Sequence, residues 1–269
     1  MATNVLELHQ FDRTPNVRSA GNCAFIRMLC DIRAVAQRLA DDVREDGLRA
    51  IVWPDLSTLS EPVDADGHPL NAEVFGWAED ELSAWRNVDK ALRSPLLRAA
   101  RVTSEPFCIS RRGIRSRTAN RLLDQINLLD LEHAPAPQSA IVIPVHMPLG
   151  QIGAAILTSP GTGNMDLLAR FRTSVDRLAA PLWQFVTGYV SVTRDERYLP
   201  TEGLLTTREI ECLSWVAHGK TDYEISIILG CSHAGIRYHV ARACAKLGAV
   251  NRAQSVFRAA QLGYIGVPL

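Results

Sequence analysis

The sequence predicts an α+β protein in two parts. The first is an N-terminal α/β/α sandwich built on an antiparallel sheet, and the second is a C-terminal all-α domain of four helices. Three observations carry this. Two apolar runs, 139–146 and 151–158, are joined by Met147-Pro148-Leu149-Gly150 and read as a β-hairpin. Apolar residues at helical spacing stand on both sides of it: Phe25, Leu29, Ile32, Val35, Leu39 and Val43 before, and Leu168, Phe171, Val175, Leu178, Leu182, Phe185 and Tyr189 after. Beyond residue 203 the chain breaks into short apolar-faced segments punctuated by Thr, Ser and Gly, the usual helix start and stop residues.

Taken in order, a helix over 24–44 stops at Gly47. β-like runs follow at 50–53 and 105–110, with a Trp-bearing stretch over 77–100 and a helix over 116–131. The hairpin and a long helix over 164–190 complete a domain in which helices precede, interrupt and follow the strands. A three-layer sandwich is the packing that buries both sheet faces. The alternating 3–4 spacing in the long helix makes one apolar seam, which fits its own sheet better than a second subunit because Pro181 interrupts a uniform coil. Residues 191–203 are polar, with one Pro and one Gly, and read as a linker between domains 1–190 and 204–269.

The chain has 269 residues, 47% of them hydrophobic, enough for one large or two small domains. Its 29 basic and 29 acidic residues cancel, which excludes a protein held to nucleic acid by bulk charge and an acidic disordered tail. No apolar run of membrane-spanning length and no secretory signal is expected, so the reading is cytoplasmic. The six cysteines (Cys23, Cys30, Cys108, Cys212, Cys231, Cys244) show no metal-ligand spacing and read as reduced thiols. The zero average hides a split. Residues 203–269 carry seven basic and four acidic side chains, a net +3, against −3 for the rest.

Within that basic segment, Thr206 or Thr207 caps a helix that ends at Gly219. Thr221 caps a second, closed by Gly230, and Ser232 caps a third; a fourth spans about 252–262. Inward faces are Ile210, Leu213, Val216 and Ala217; Ile225, Ile228 and Leu229; Ile236, Val240, Cys244 and Leu247; and Val256, Ala260 and Leu262. The tight Leu229-Gly230-Cys231-Ser232 turn makes the second and third helices a helix-turn-helix. Its second helix projects Arg237, His239, Arg242 and Lys246 away from the apolar face. One such helix fits the major groove of B-form DNA.

This stretch resembles the DNA-binding domain of LuxR-type transcription regulators. The resemblance rests on Leu205-Thr206-Thr207-Arg208-Glu209, Gly219-Lys220-Thr221 with Glu224-Ile225, and Lys246-Leu247-Gly248 with Asn251-Arg252. It implies DNA contact by Lys220, Thr221, Ser232, His233, Ala234, Arg237, Tyr238, Arg242, Lys246 and Arg252. Arg237 is the first choice for bases, with His233, Ala234 and Tyr238 near reach; Lys220, Thr221, Lys246 and Arg252 hold phosphates. One departure is Gly235, where the family has Thr.

The order of elements before the linker fits no phosphorylated receiver domain and is similar to the autoinducer-binding domain of quorum-sensing LuxR proteins. Ser94-Pro95 stands at that family's Asp-Pro, Pro106-Phe107-Cys108-Ile109 at its Pro-Phe-x-Trp, and Ala140 at a strand Gly. Trp85 stands near a ligand-contacting Tyr. The resemblance implies a pocket lined by Trp53, Phe75, Trp77, Trp85, Ser94, Phe107, Ile109 and Ala140. Ile109 cannot give the hydrogen bond that the family's Trp gives to a lactone carbonyl, and an unpaired buried carbonyl costs about 1–3 kcal/mol. The pocket is expected to hold a different ligand or to be closed by its own side chains.

No GxSxG, Walker or HExxH pattern occurs, and His146 has no partner visible in the sequence, so no enzyme, cofactor or metal is expected. The expectation is a homodimeric transcription regulator on an inverted-repeat, double-stranded operator, contacting RNA polymerase if it activates. Its N-terminal domain senses a small molecule other than a standard acyl-homoserine lactone. The alternative is a ligand-independent regulator whose N-terminal domain serves only dimerisation or protein interaction.

Overall fold

The computed structural model describes residues 25–132, 139–160, 167–194 and 204–266. Five strands form one antiparallel sheet: β1 (Arg49–Trp53), β2 (Phe107–Ser110), β3 (Gly113–Ser116), β4 (Ser139–His146) and β5 (Ile152–Thr158), in the spatial order β1-β5-β4-β2-β3. The predicted hairpin is β4–β5, with Val142 opposite Ile156 and His146 opposite Ile152. Cross-strand partners share a face. The register therefore puts Ile51, Trp53, Phe107, Ile109, Ala140, Val142, Ala154 and Ile156 on one side of the sheet.

The opposite side is covered by α1 (Ile32–Glu45) and by the 27-residue α7 (Leu167–Thr193). The predicted seam of α7 is buried at Phe171, Val175, Leu178, Leu182, Phe185 and Tyr189, and the helix packs across β4 and β5 of its own sheet. Contact there is close. A Cβ on Gly153 of β5 would lie 2.9 Å from the Trp53 and Pro54 carbonyl oxygens and from Val186 of α7. α7 runs on to Thr193, past the 190 boundary read from the sequence, and the rest of the 191–203 linker lies almost wholly outside the described residues.

Over the Trp53 side lie α3 (Glu79–Arg86), α4 (Val88–Arg93) and α5 (Pro95–Val102); α2 (Leu70–Glu73) sits at the edge of β1. That edge is closed by side chains. Asn71 exchanges two 3.0 Å hydrogen bonds with the Val52 backbone, and the Trp77 indole N–H donates to the Ala50 carbonyl. This leaves no unpaired backbone row there for another strand to add to.

The expected helix over 116–131 is absent. Residues 113–116 form β3, and only α6 (Arg121–Asp124), capped by the Asn120 side chain, is helical before a short 3-10 turn at Leu129–Glu132. Short polar stretches with Asn at the caps favour local side-chain bonds over a long helix.

The C-terminal part has α8 (Thr207–Ala217), α9 (Asp222–Leu229), α10 (His233–Lys246) and α11 (Arg252–Gln261). Thr206 and Thr221 form capping boxes with Glu209 and Glu224, and Ser232 caps α10 by accepting from the Gly235 amide. Gly230 closes α9 in the left-handed region, at φ 61°, the backbone turn that aims α10 across α9. Buried Leu213, Ile225, Ile236, Val240 and Leu247 agree with the expected faces. Ile228, expected inward, is exposed, and at α11 Ala259 rather than Ala260 is buried. In α9 the stripe otherwise holds at Ile225 and Leu229, whereas in α11 the buried positions, Ser255 and Ala259, are shifted by one residue.

Candidate functional site

The face of α10 turned from the bundle carries His233, Ala234, Arg237, Tyr238 and Arg242, all exposed. The Arg242 guanidinium lies 5.9 Å from the centre of the Tyr238 ring, one turn back, and His239 meets that ring edge-on at 5.7 Å. Among the described residues, neither Arg237 nor Arg242 has a carboxylate partner. Their donors are therefore available to an external acceptor, and a guanidinium fork matches the O6 and N7 atoms of a guanine. Ser232 is committed to its cap and is exposed at the mouth of the helix.

The residues expected at phosphates divide. Lys220 stands beside Glu224 at 3.5 Å with its side chain 41% exposed, and Thr221 is exposed at the start of α9. Arg252 bridges α11 to the residues around α9, 3.2 Å from Asp222 and donating to the Lys220 carbonyl at 3.1 Å. Lys246 is different. Its ammonium is 2.8 Å from Glu209 and donates to the Leu204 carbonyl, so the structure places it inside the domain and not on the face shared by Arg237 and Arg242. Helical spacing put Lys246 with the basic residues. Glu209, which holds it back, enters the sequence reading only as part of the family pattern, with no link to Lys246. Tyr223, 66% exposed on α9, was not singled out from the sequence.

In the N-terminal domain, six of the eight expected lining residues meet in one buried layer. Trp53, Phe107, Ile109 and Ala140 rise from the same sheet face, and Trp85 of α3 packs on Trp53 with ring centres 6.2 Å apart. Ser94 begins α5 above that face. Phe75 and Trp77 do not belong to it. Phe75 packs edge-on against Phe185 of α7, and Trp77 caps the edge of β1 under the Arg49 guanidinium. Spacing cannot separate these aromatics, because all are equally apolar and equally buried.

Three polar atoms of that layer are buried without a hydrogen-bond partner among the described residues: the Trp53 and Trp85 indole nitrogens and the Ser94 hydroxyl. Each such group costs about 1–3 kcal/mol when left unpaired. Among the described residues the fully buried charged side chains are Asp64 and Glu209, and neither is in this layer. Both indoles can only donate, and the Ser94 hydroxyl can donate or accept.

His146 gains the partner that its sequence context did not show: its ring nitrogen lies 2.9 Å from the Ala100 carbonyl of α5. Asp64, Asp66 and His68 gather three groups of the kind that bind metals. Asp64 is already engaged, however, by the Asp66 and His68 amides and by Arg33 at 2.8 Å. The Arg33 guanidinium holds its carboxyl down at about 2. No described helix is long and apolar enough to cross a membrane.

Residues 203–259 match the family described as bacterial regulatory proteins, luxR family. The chain is similar to the transcriptional activator protein VanR of Vibrio anguillarum, 34% identical over 123 residues, 46% of this chain and 50% of VanR. It is similar to AhyR of Aeromonas hydrophila, 26% identical over 171 residues and 64% of each chain. The matches thus span between half and just under two thirds of these relatives. Among solved structures, SdiA of Escherichia coli aligns over 88% of this chain and 92% of its own at 16% identity, with a TM-score of 0.43. The segment that matches the luxR family model is thus the one that carries the capping boxes, the Gly230 turn and the exposed basic face of α10.

Proposed function

We propose that the chain is a sequence-specific transcription regulator that binds an inverted-repeat operator as a homodimer, one α10 per half-site, the half-sites about one helical turn apart. The observation that carries this is the exposed α10 face, where Arg237 and Arg242 have no carboxylate partner among the described residues. Arg237 reads bases, with His233, Ala234 and Tyr238 beside it; Lys220, Thr221, Ser232 and Arg252 lie toward the backbone. RNA polymerase is the further partner if the protein activates, and the cytoplasm is where such a protein acts. Selection of binding sites from random duplex DNA by the full chain tests it. Recovery of a two-fold symmetric sequence supports the reading, and recovery of no consensus opposes it.

Residues 1–190 serve as the sensor and dimerisation domain, 191–203 as the linker and 204–269 as the DNA-binding domain. The sensed molecule is small, uncharged and rich in acceptors, and is not a standard acyl-homoserine lactone. The unpartnered indoles of Trp53 and Trp85 support this, as does the absence of a donor at Ile109. The ligand-free alternative draws support from the direct packing of Trp53 on Trp85. Mass spectrometry of solvent extracts, with thermal shifts against a lactone panel, separates the two. A reproducible bound compound favours the sensor. Absence of any compound or shift, with full operator affinity, favours the alternative.

A further inference from the structure

Residues 111–121 contain five arginines and no acidic residue, in a region of the chain that is otherwise slightly acidic. They fall on and around β3, the edge strand of the sheet. On an edge strand such charges can serve merely to repel other strands. Here they do more, because a concave site forms behind them. Arg115, Ser116 and Arg117 from the β3 side face Leu168, Phe171 and Arg172 of α7 across a cleft of about 250 Å³.

The chemistry of the cleft is uneven. Arg117 reaches Asp176 at 2.6 Å, so one guanidinium is internally neutralised. Arg115 reaches only the Ile114 carbonyl, at 3.5 Å, and among the described residues neither Arg115 nor Arg172 meets a carboxylate. Two guanidiniums without a counter-charge among the described residues thus line the same cleft as Leu168 and Phe171. Arginine forks match carboxylate and phosphate oxygens in pairs, and the apolar wall favours an attached ring or short chain. The volume is below the range usual for drug-sized ligands, so the occupant is small.

We infer that this cleft binds a small organic oxyanion, a carboxylate or phosphate monoester carrying a ring or short apolar group, at a site separate from the Trp53–Trp85 layer and from α10. A polymeric nucleic acid would need the charges but not the apolar wall.

Titration calorimetry of the full chain with phenyl phosphate, inorganic phosphate and phenol tests this, on the unmodified protein, on Arg115→Gln/Arg172→Gln and on Arg237→Ala. Phenyl phosphate should bind at least 10-fold more tightly than inorganic phosphate, and phenol should not bind measurably. The double variant should lose at least 10-fold for phenyl phosphate at an unchanged melting temperature, whereas Arg237→Ala keeps full affinity. The inference is overturned by no binding of phenyl phosphate, by equal binding of the two phosphates, or by full retention in the folded double variant. Loss in Arg237→Ala alone would place the anion on α10 and overturn it equally.

Discussion

The Lys246 ammonium lies 2.8 Å from a Glu209 oxygen that also accepts the Thr206 amide at 2.7 Å, so one carboxylate caps α8 and anchors the end of α10. Both side chains are largely buried, 17% and 4% exposed. Removing one partner from such a pair strands the other charge.

Glu209 is therefore a stability determinant with a defined pH dependence. Burial pushes its carboxyl up, but the Lys246 and Thr206 hydrogen bonds outweigh this and leave it below the ordinary value. A carboxylate lowered in the folded state contributes stability above its unfolded pKa of about 4.3, and that contribution is lost as pH falls through the folded value. Glu209→Gln should cost about 2 kcal/mol at neutral pH in urea unfolding. The gap should narrow below about pH 4. Equal stabilities at pH 7 would remove the pair from the account.

Gly235 sits in the first turn of α10, and its amide donates to Ser232 Oγ at 3.1 Å. An added Cβ would meet only that rotatable hydroxyl, at 3.2 Å. Gly235→Ala should stabilise the domain by about 0.5 kcal/mol, less than the full helix-propensity gain of about 1 kcal/mol because the hydroxyl must give slightly. Thermal unfolding reads this directly, and a lower melting temperature would mean that the cap cannot yield.

At Gly153 nothing can yield, since two of the three atoms met at 2.9 Å are backbone oxygens of β1 and the residue after it. Gly153→Ala should cost about 3 kcal/mol, at the upper end of overpacking penalties. Denaturant unfolding of the variant checks it, and a change below about 1 kcal/mol would show that β5 and α7 are packed less tightly.

Trp85 bears on the sensor reading. Trp85→Phe keeps most of the packing on Trp53 and deletes a buried N–H that has no acceptor among the described residues. The ligand-free protein should lose about 1 kcal/mol or less, relief of the unpaired group offsetting lost contact. Compound recovered by solvent extraction should fall at least tenfold. Unchanged recovery would exclude the indole as a donor to the ligand.

Much of the architecture was legible because it is written in local signals. The β4–β5 hairpin has its two apolar runs and the Met147-Pro148-Leu149-Gly150 turn between them, and α8 to α10 have Thr206, Thr221 and Ser232 at their starts. β3 was missed because Gly113-Ile114-Arg115-Ser116 is four residues long, lies at an edge and buries little. The candidate sites were less legible because partners distant in sequence decide them. Lys246 looks like Arg242 until Glu209, 37 residues away, is seen beside it. Trp77 looks like Trp85 until its indole is found on the Ala50 carbonyl.

The most direct test is equilibrium binding of the unmodified chain, Arg237→Ala and Lys220→Ala to a selected symmetric site and to random duplex at several salt concentrations. Arg237→Ala should lose about 1–3 kcal/mol on the selected site and much less on random DNA. Lys220→Ala should weaken both alike and lower the salt slope by about 1. Equal losses for Arg237→Ala on the two DNAs would contradict the assignment of α10 as the element that reads sequence.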